Sequence, residues 1–221
     1  MELITPFSML VVGASRSGKS VLCKKLVLSS LFDKPLSNIY ICFAHMQPIY
    51  EEIKLESRIP VHFIEGLPTD LKTENNSLVL IDDLQGTHSK EVAEWFTRKC
   101  HHQNTSVIYL VQNMFAKPPE HRTISLNSDY IVVFKSPRDS SQIVNLAKQI
   151  APGQTKFINW AYKEATRFPH SYLLIDLKQK TDDLLRIRDS FFSNLVYIND
   201  KDVEKFKENN IIEKTSNPSP L

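Results

Sequence analysis

Residues 8–27 read SMLVVGASRSGKSVLCKKLV, an apolar run, a loop of small residues and a helical pattern in direct succession. The loop, Gly13 to Ser20, fits the pattern G-x-x-x-x-G-K-[ST]. Its glycines let the backbone wrap closely around a phosphate, so that successive N–H groups and the positive end of the next helix point at the anion. Because a strand pattern precedes the motif and a helix pattern follows it, the stretch predicts a phosphate-binding loop rather than an incidental turn.

The side chains of this loop have distinct expected roles. Lys19 is expected to neutralise the β- and γ-phosphates of ATP, and the Ser20 hydroxyl to ligate Mg²⁺. Arg16 occupies a variable position of the motif. Three contacts suit a side chain there, with phosphate, with a neighbouring subunit or only with solvent, and solvent is the default expectation. The predicted nucleotide-binding residues are Gly13, Ala14, Ser15, Arg16, Ser17, Gly18, Lys19, Ser20 and Val21.

A second apolar run ends in two acidic residues. Residues 78–83 read LVLIDD, the form of a Walker B element. Asp82, at the strand end, is expected to hold Mg²⁺ through the hydration shell of the ion, and Asp83 to orient or deprotonate the attacking water. The structural alternative is that the two acids merely begin a turn before Gly86. The phosphate loop upstream favours the catalytic interpretation.

A third apolar run, residues 105–113 (TSVIYLVQN), ends in amides. Open α/β sheets bind ligands at the carboxyl ends of their strands. Gln112 and Asn113 are therefore candidates to sense the γ-phosphate or to position water. Gln112 is favoured because it directly continues the strand, whereas Asn113 also suits a capping or turn role before Met114.

The remaining pattern predicts an α/β fold, with a mostly parallel sheet and helices on both faces. Most apolar runs are unbroken rather than alternating, as in strands buried on both sides. Predicted strands are Ser8–Val12, Asn38–Phe43, Val61–Ile64, Leu78–Ile81, Val107–Val111, Tyr130–Phe134 and Tyr172–Ile175. Predicted helices are Gly18–Leu31, Pro48–Leu55, Lys90–His102, Ser141–Ile150 and Lys156–Thr166.

Length and composition limit the possibilities further. A chain of 221 residues is long enough for one α/β core. We expect a P-loop domain over residues 1–195 and a short helix with a disordered tail over residues 196–221. A net charge of +2 neither supports nor excludes DNA as a partner. No run approaches the length of a membrane span, so no membrane insertion is expected. The three cysteines lack disulfide or zinc spacing, which favours reduced thiols and an intracellular location.

The three motifs, together with the basic segment RKCHHQN at residues 98–104, resemble the FtsK/HerA superfamily. More narrowly, they are similar to the genome-packaging ATPases of poxviruses and related large DNA viruses, of adintoviruses and of Polinton/Maverick elements. The likeness extends over roughly residues 5–192. It is strongest in Phe7–Ser20, Leu80–Leu84, Phe96–Phe115 and Arg122–Asp139.

The resemblance implies a RecA-like (ASCE) P-loop NTPase fold, in which the Gln112 strand separates the P-loop strand from the Asp82 strand. It implies an ATPase that moves double-stranded DNA without reading its sequence. The implied assembly is a homomeric ring, a pentamer or hexamer, working with capsid portal or vertex proteins in the host cytoplasm or nucleus, or in the virion. Many relatives outside the viral branch have glutamate where this chain has Asp83.

Such rings complete each active site with an arginine from a neighbouring subunit. Arg98 lies in the segment where the superfamily often carries this arginine, although His101 is closer by offset from Gln112. Arg122 and Arg138 are rival candidates, and each of the three arginines also suits an ordinary surface role.

The loop after Gln112 is a candidate DNA contact, with an ordinary surface connection as the alternative. Lys117, His121 and Arg122 are its basic residues, and Pro118 and Pro119 predict that it is extended and exposed. Other function classes stay open: a small nucleotide or nucleoside kinase, and a nucleotide-dependent switch or scaffold. A GTPase is disfavoured because no N-K-x-D element follows the P-loop.

Overall fold

A computed structural model describes residues 1–82, 84, 88–115, 119–137, 139–200 and 202–204. The described strands form one eight-stranded sheet in the order β3-β2-β4-β5-β1-β6-β7-β8. Strands β1 to β6 run parallel, and β7 and β8 are antiparallel to their neighbours. The predicted mostly parallel α/β sheet is therefore confirmed. The strands are β1 (Ser8–Val12), β2 (Ile39–Phe43), β3 (Val61–Glu65), β4 (Leu78–Asp82), β5 (Ser106–Val111), β6 (Tyr130–Phe134), β7 (Tyr172–Asp176) and β8 (Ile187–Arg188).

The central strands are buried along their whole length. Every residue of β1, β4, β5, β6 and β7 is buried, which explains their unbroken apolar sequences. β5 lies between β1 and β4, with Val111 opposite Val12 and Leu110 opposite Asp82. This is the inserted strand that the resemblance implied. The carboxyl ends of β1, β4 and β5 consequently meet at one edge of the sheet.

Helices cover both faces of the sheet. α1 and α2 contribute to one apolar cluster, and α3, α5, α6 and α7 contribute to the other. α3 continues through a π-helical turn (Trp95–Lys99) into α4, so the three segments together occupy the predicted helix before β5. The α-helices are α1 (Lys19–Val27), α2 (Pro48–Glu56), α3 (Ser89–Glu94), α4 (Cys100–His102), α5 (Glu120–Leu126), α6 (Ser141–Ile150) and α7 (Thr155–Ala165).

The sequence prediction was wrong about the chain after Pro119. Instead of an extended loop, residues 120–126 form α5, with Pro119 at its N-cap in a helical conformation (φ −60°). Proline suits the start of a helix because the N–H it lacks has no partner there. His121 is only 3% exposed, and burial lowers its pKa, so it is not the exposed basic DNA contact that was expected. Arg122 is exposed, and Lys117 lies outside the described residues.

Two smaller differences concern the ends of elements. α1 ends at Val27 rather than Leu31, because the N–H and hydroxyl groups of Ser29 both bond the Leu26 carbonyl oxygen (3.0 and 2.6 Å) and form a turn. The two-residue β8 was not predicted, since a strand so short leaves no recognisable pattern. The bounds of the other predicted elements match the structure or differ from it by one residue at an end.

The cysteines and the C-terminal segment complete the fold. Cys23, Cys42 and Cys100 are buried free thiols, and burial raises the pKa of both Cys42 and Cys100 to about 12. Within the described chain, no helix combines the length and apolar character needed to cross a membrane. Val196 bridges to Arg188, which joins this segment to the sheet edge. Residues 205–221 lie outside the described residues, and the boundary near residue 195 stays a prediction.

Candidate nucleotide-binding site

The phosphate loop begins where β1 ends. The Gly13 N–H donates to the Val111 carbonyl oxygen at 3.0 Å, which ties the loop to the end of β5. A Cβ atom at residue 13 would lie 2.5 Å from Ser17 Oγ and 2.8 Å from Phe134 Cβ. The tight start of the loop therefore requires glycine at this position.

Two residues with positive φ turn the chain from the loop into α1. Arg16 has φ 64° and Gly18 has φ 108°, both in the left-handed region. Lys19 then opens α1, whose N-cap residue Gly18 makes no side-chain capping bond. Because the first N–H groups of a helix have no partner within the helix, they are available to bind an anion at this end.

The Lys19 ammonium group lies over the loop itself. Its Nζ atom donates to the carbonyl oxygens of Gly13 (2.7 Å) and Ala14 (3.2 Å). The positive charge is thus held beside the same backbone turn whose glycines allow close approach of a phosphate. This arrangement fits the predicted role of Lys19.

The two predicted metal ligands lie together. Asp82, at the end of β4, is only 5% exposed, and Ser20 Oγ lies 3.3 Å from Asp82 Oδ2. A hydroxyl and a carboxylate are oxygen ligands of the kind that Mg²⁺ prefers. The donor set therefore fits the cation. Asp83 lies outside the described residues, so its role stays a prediction.

Helix α2 brings two further donors that the sequence analysis did not single out. The Tyr50 hydroxyl donates to Asp82 Oδ2 at 2.7 Å, and Gln47 Nε2 donates to the same oxygen at 3.4 Å. Residues 47–50 carry no recognised motif, and the only signal was the start of a helical pattern at Pro48.

The amides after β5 have different surroundings. Gln112 is exposed and follows Val111 directly, which places its backbone at the same sheet edge as Gly13. Asn113 Oδ1 accepts a hydrogen bond from the Phe115 N–H at 2.8 Å, the turn role that was the structural alternative. Gln112 consequently remains the candidate for contact with the γ-phosphate or with water.

An open groove runs from the phosphate loop along α1, with a volume of about 1450 Å³. This volume is ample for a nucleotide. His170 closes one side of the loop, because its Nδ1 atom lies 3.1 Å from the Ser17 carbonyl oxygen. Lining residues are Arg16, Ser17, Gly18, Lys19, Ser20, Val21, Leu22, Lys24, Lys25, Leu28, Gln47, Pro48, Ile49, Glu52, Glu56, Phe134, His170, Tyr172, Ser190 and Phe192.

Comparison with solved structures identifies the fold. The genome-packaging NTPase B204 of Sulfolobus turreted icosahedral virus 2, in complex with ATP-γ-S, matches with a TM-score of 0.53 and 16% identity over 79% of this chain and 94% of B204. The DNA-packaging ATPase B204 of Sulfolobus turreted icosahedral virus matches with a TM-score of 0.54 and 14% identity over 80% and 96%. The chain has a RecA-like P-loop NTPase fold.

A third similar structure comes from a longer protein. EssC (ATPases 2 and 3) of Geobacillus thermodenitrificans has a TM-score of 0.51 and 13% identity, and the match covers 97% of this chain and 45% of that one. No family model matches the sequence, and no curated protein does. The likeness accordingly establishes the P-loop NTPase fold and leaves the activity to the residues of the site.

Among the candidate arginines of this P-loop NTPase fold, Arg98 is not brought to its own chain's phosphate loop. Its side chain is 64% exposed, and its partner is Glu94 at 3.8 Å. Arg98 lies in the π-helical turn between α3 and α4. This helical segment starts after β4, near the carboxyl ends of the strands, and ends near Thr105, at their amino ends. Arg122 is exposed in the first turn of α5, and Arg138 lies outside the described residues.

Proposed function

We propose that this protein is an ATP-hydrolysing motor that translocates double-stranded DNA and packages a viral genome into a capsid. The observation that carries the proposal is the convergence of Lys19, Ser20 and Asp82 at one sheet edge, beside the strand that ends in Gln112. The likeness to B204, described as a genome-packaging NTPase and a DNA-packaging ATPase, supports the choice of substrate.

The proposed chemistry follows from the residues at the groove. The loop N–H groups and the Lys19 ammonium bind the phosphates of ATP and neutralise charge that develops on the transferred phosphoryl group. Ser20 and Asp82 would hold Mg²⁺, which would neutralise the negative charge of the phosphates. Asp83 accepts the proton of the attacking water, and Gln112 orients that water.

The proposed assembly is a homomeric ring, a pentamer or hexamer, with one active site at each subunit boundary. Arg98 supports this arrangement because it is exposed on a helix that leads away from its own chain's phosphate loop. In a ring it acts on the ATP of the neighbouring subunit, with Arg122 as the other described candidate. An arginine in this role stabilises transition-state charge and is worth about 10³–10⁵-fold in rate in other NTPases.

DNA is gripped through its phosphate backbone, without sequence reading, by basic side chains that face the pore. Arg122 is the exposed candidate among the described residues. The ring docks on a capsid portal or vertex protein and works inside the infected cell. This location is consistent with the three free thiols.

The decisive experiment measures ATP turnover with and without long double-stranded DNA, together with the oligomeric mass. We expect turnover stimulated by DNA of any sequence, in a particle of five or six subunits. Asp83→Asn should keep ATP binding and lose turnover by roughly 10²–10⁴-fold, because it removes the general base. Phosphorylation of a nucleoside monophosphate would instead establish a kinase. ATP binding without turnover in the wild type would establish a switch or scaffold.

A further inference from the structure

We propose that helix α2 supplies two positioning residues for the divalent cation: Tyr50 and Gln47 orient the Asp82 carboxylate so that it can hold Mg²⁺. This inference rests on the proposed nucleotide site and extends it to an element that carries no motif. The contacts that support it converge on a single atom, Asp82 Oδ2.

The environment of Asp82 explains why such donors are needed. Asp82 is only 5% exposed, and a buried carboxylate is costly unless it accepts hydrogen bonds. The Tyr50 hydroxyl makes the shorter contact to Oδ2, at 2.7 Å, and Gln47 Nε2 makes the longer one, at 3.4 Å. Ser20 Oγ reaches the same oxygen from the phosphate-loop side at 3.3 Å. The carboxylate is therefore held between α2 and α1.

Packing fixes the position of the Tyr50 hydroxyl. Tyr50 is 1% exposed, and its ring stacks on Phe43 with 5.5 Å between ring centroids. Phe43 lies directly opposite Asp82 in the ladder between β2 and β4. The ring thus rests on the strand neighbour of the residue that its hydroxyl contacts, which leaves little freedom for either side chain.

Gln47 belongs to the same structural unit. It is the N-cap residue of α2, and its carbonyl oxygen accepts the Tyr50 N–H at 3.0 Å. Unlike Tyr50, it also lines the groove beside Ser20. Both side chains therefore reach Asp82 Oδ2 from the same end of α2.

This geometry has a measurable consequence for the cation. Mg²⁺ demands near-ideal octahedral geometry, so the orientation of a ligating carboxylate affects affinity directly. Loss of a partner that orients a metal ligand typically costs about 10–100-fold in metal affinity. We therefore expect loss of the Tyr50 hydroxyl to weaken binding of the cation and to leave cation-free binding of the nucleotide unchanged.

The test uses the full chain and a fluorescent, non-hydrolysable ATP analogue, with Mg²⁺ titrated and with EDTA as the cation-free reference. Tyr50→Phe should raise the Mg²⁺ concentration for half-saturation about 10–100-fold and leave binding in EDTA unchanged. Gln47→Ala, which removes the longer contact and leaves the core intact, should raise it by a smaller factor. Mn²⁺ binding, measured by electron paramagnetic resonance, should also be weakened more by Tyr50→Phe than by Gln47→Ala.

Tyr162→Phe is the matched control. Its hydroxyl is also buried, and it bonds the Phe134 carbonyl and the Ser136 N–H at 3.1 and 2.9 Å, away from Asp82. It should leave the Mg²⁺ requirement unchanged. In an Asp82→Asn background, Tyr50→Phe should have no further effect on cation binding, a result that general destabilisation would not produce.

The inference is overturned if Tyr50→Phe and Gln47→Ala both keep the wild-type cation affinity while Asp82→Asn loses it. In that case the nucleotide site would stand and only the role of α2 would fall. If Tyr50→Phe does not fold, Gln47→Ala decides alone. Wild-type protein that binds no nucleotide with or without Mg²⁺ would remove the proposed function and this inference together.

Discussion

Polar side chains lie at both ends of the parallel strands, the carboxyl edge and the opposite, amino edge of the sheet. Those side chains have different partners at the two ends. At the carboxyl ends of the strands, Asp82 meets donors on Ser20, Gln47 and Tyr50, three side chains from outside β4, and two of them, Ser20 and Gln47, border an open groove. At the opposite edge, Asp129 accepts from the Ser8 backbone N–H at 2.9 Å. Asp82 thus receives donors from three other side chains beside a cavity, whereas both donors to Asp129 Oδ2, the N–H and the hydroxyl of Ser8, come from a single residue of β1.

Asp176 is a second carboxylate at the amino edge of the sheet. It lies at the end of the antiparallel β7, opposite Tyr130, and its Oδ1 atom accepts from the Lys178 N–H at 3.0 Å. Its acceptor capacity is used to fix a local turn. Burial of a carboxylate is therefore not enough to mark a functional site in this fold. The partners of the carboxylate, and the space beside it, distinguish Asp82 from Asp129 and Asp176.

The largest predicted effect is at the carboxyl edge. Lys19→Ala removes the charge held over the phosphate loop, and we expect ATP turnover to fall roughly 10²–10³-fold, equal to about 2.7–4 kcal/mol of transition-state stabilisation. Steady-state phosphate release measures this loss, and thermal unfolding without nucleotide should be nearly unchanged. Lys163→Ala, on the exposed side of α7, is the control. Equal losses in the two variants would contradict a special role for the carboxyl edge.

Much of this edge could be predicted from sequence because its main residues stand in contiguous motifs. Lys19 and Ser20 follow the end of one strand, and Asp82 ends another. Since the carboxyl ends of parallel strands meet, local patterns sufficed to bring these residues together. The position of β5 between β1 and β4 came from the resemblance, and the ladder confirms it.

The contribution of α2 could not be predicted in the same way. Tyr50 and Asp82 are separated by 32 residues, and their contact exists only because α2 packs across the end of β4. Helix α5 was missed for a different reason, since Pro118 and Pro119 suggested a loop although proline also starts helices. In both cases the local sequence allowed several structures, and tertiary packing selected one.

A medium effect, on stability alone, is predicted for the opposite edge. Asp129→Ala leaves the buried Ser8 N–H without its carboxylate acceptor, which should lower the free energy of unfolding by about 1–3 kcal/mol. Urea unfolding measures the loss, and ATP affinity of the folded fraction should stay at the wild-type value. Asp129→Asn keeps an acceptor oxygen and should recover part of the stability. A changed ATP affinity in folded Asp129→Ala would contradict the expectation that this edge of the sheet affects stability alone.

The smallest predicted effect concerns Asp176 and depends on pH. Burial raises the pKa of Asp176 above its usual value, because the charged form is poorly solvated. A raised pKa in the folded state means that folding favours the protonated carboxyl, so its stabilising contribution is present at low pH and is lost as pH rises through the folded pKa. Asp176→Asn imitates the neutral form and retains an oxygen for the Lys178 N–H.

At pH 7 the free energy of unfolding of Asp176→Asn should therefore equal that of the wild type or exceed it by up to about 1 kcal/mol. The difference should shrink as pH falls, because the wild-type carboxyl then becomes neutral as well. Urea unfolding across this pH range measures the trend, with ATP turnover at pH 7 unchanged in the variant. The opposite result would be an Asp176→Asn variant whose free energy of unfolding falls below that of the wild type at pH 7 but not at low pH. It would show that the ionised carboxylate is required. Asp176 would then resemble Asp82 in needing its charge, and the partners of a buried aspartate would no longer suffice to separate the two edges.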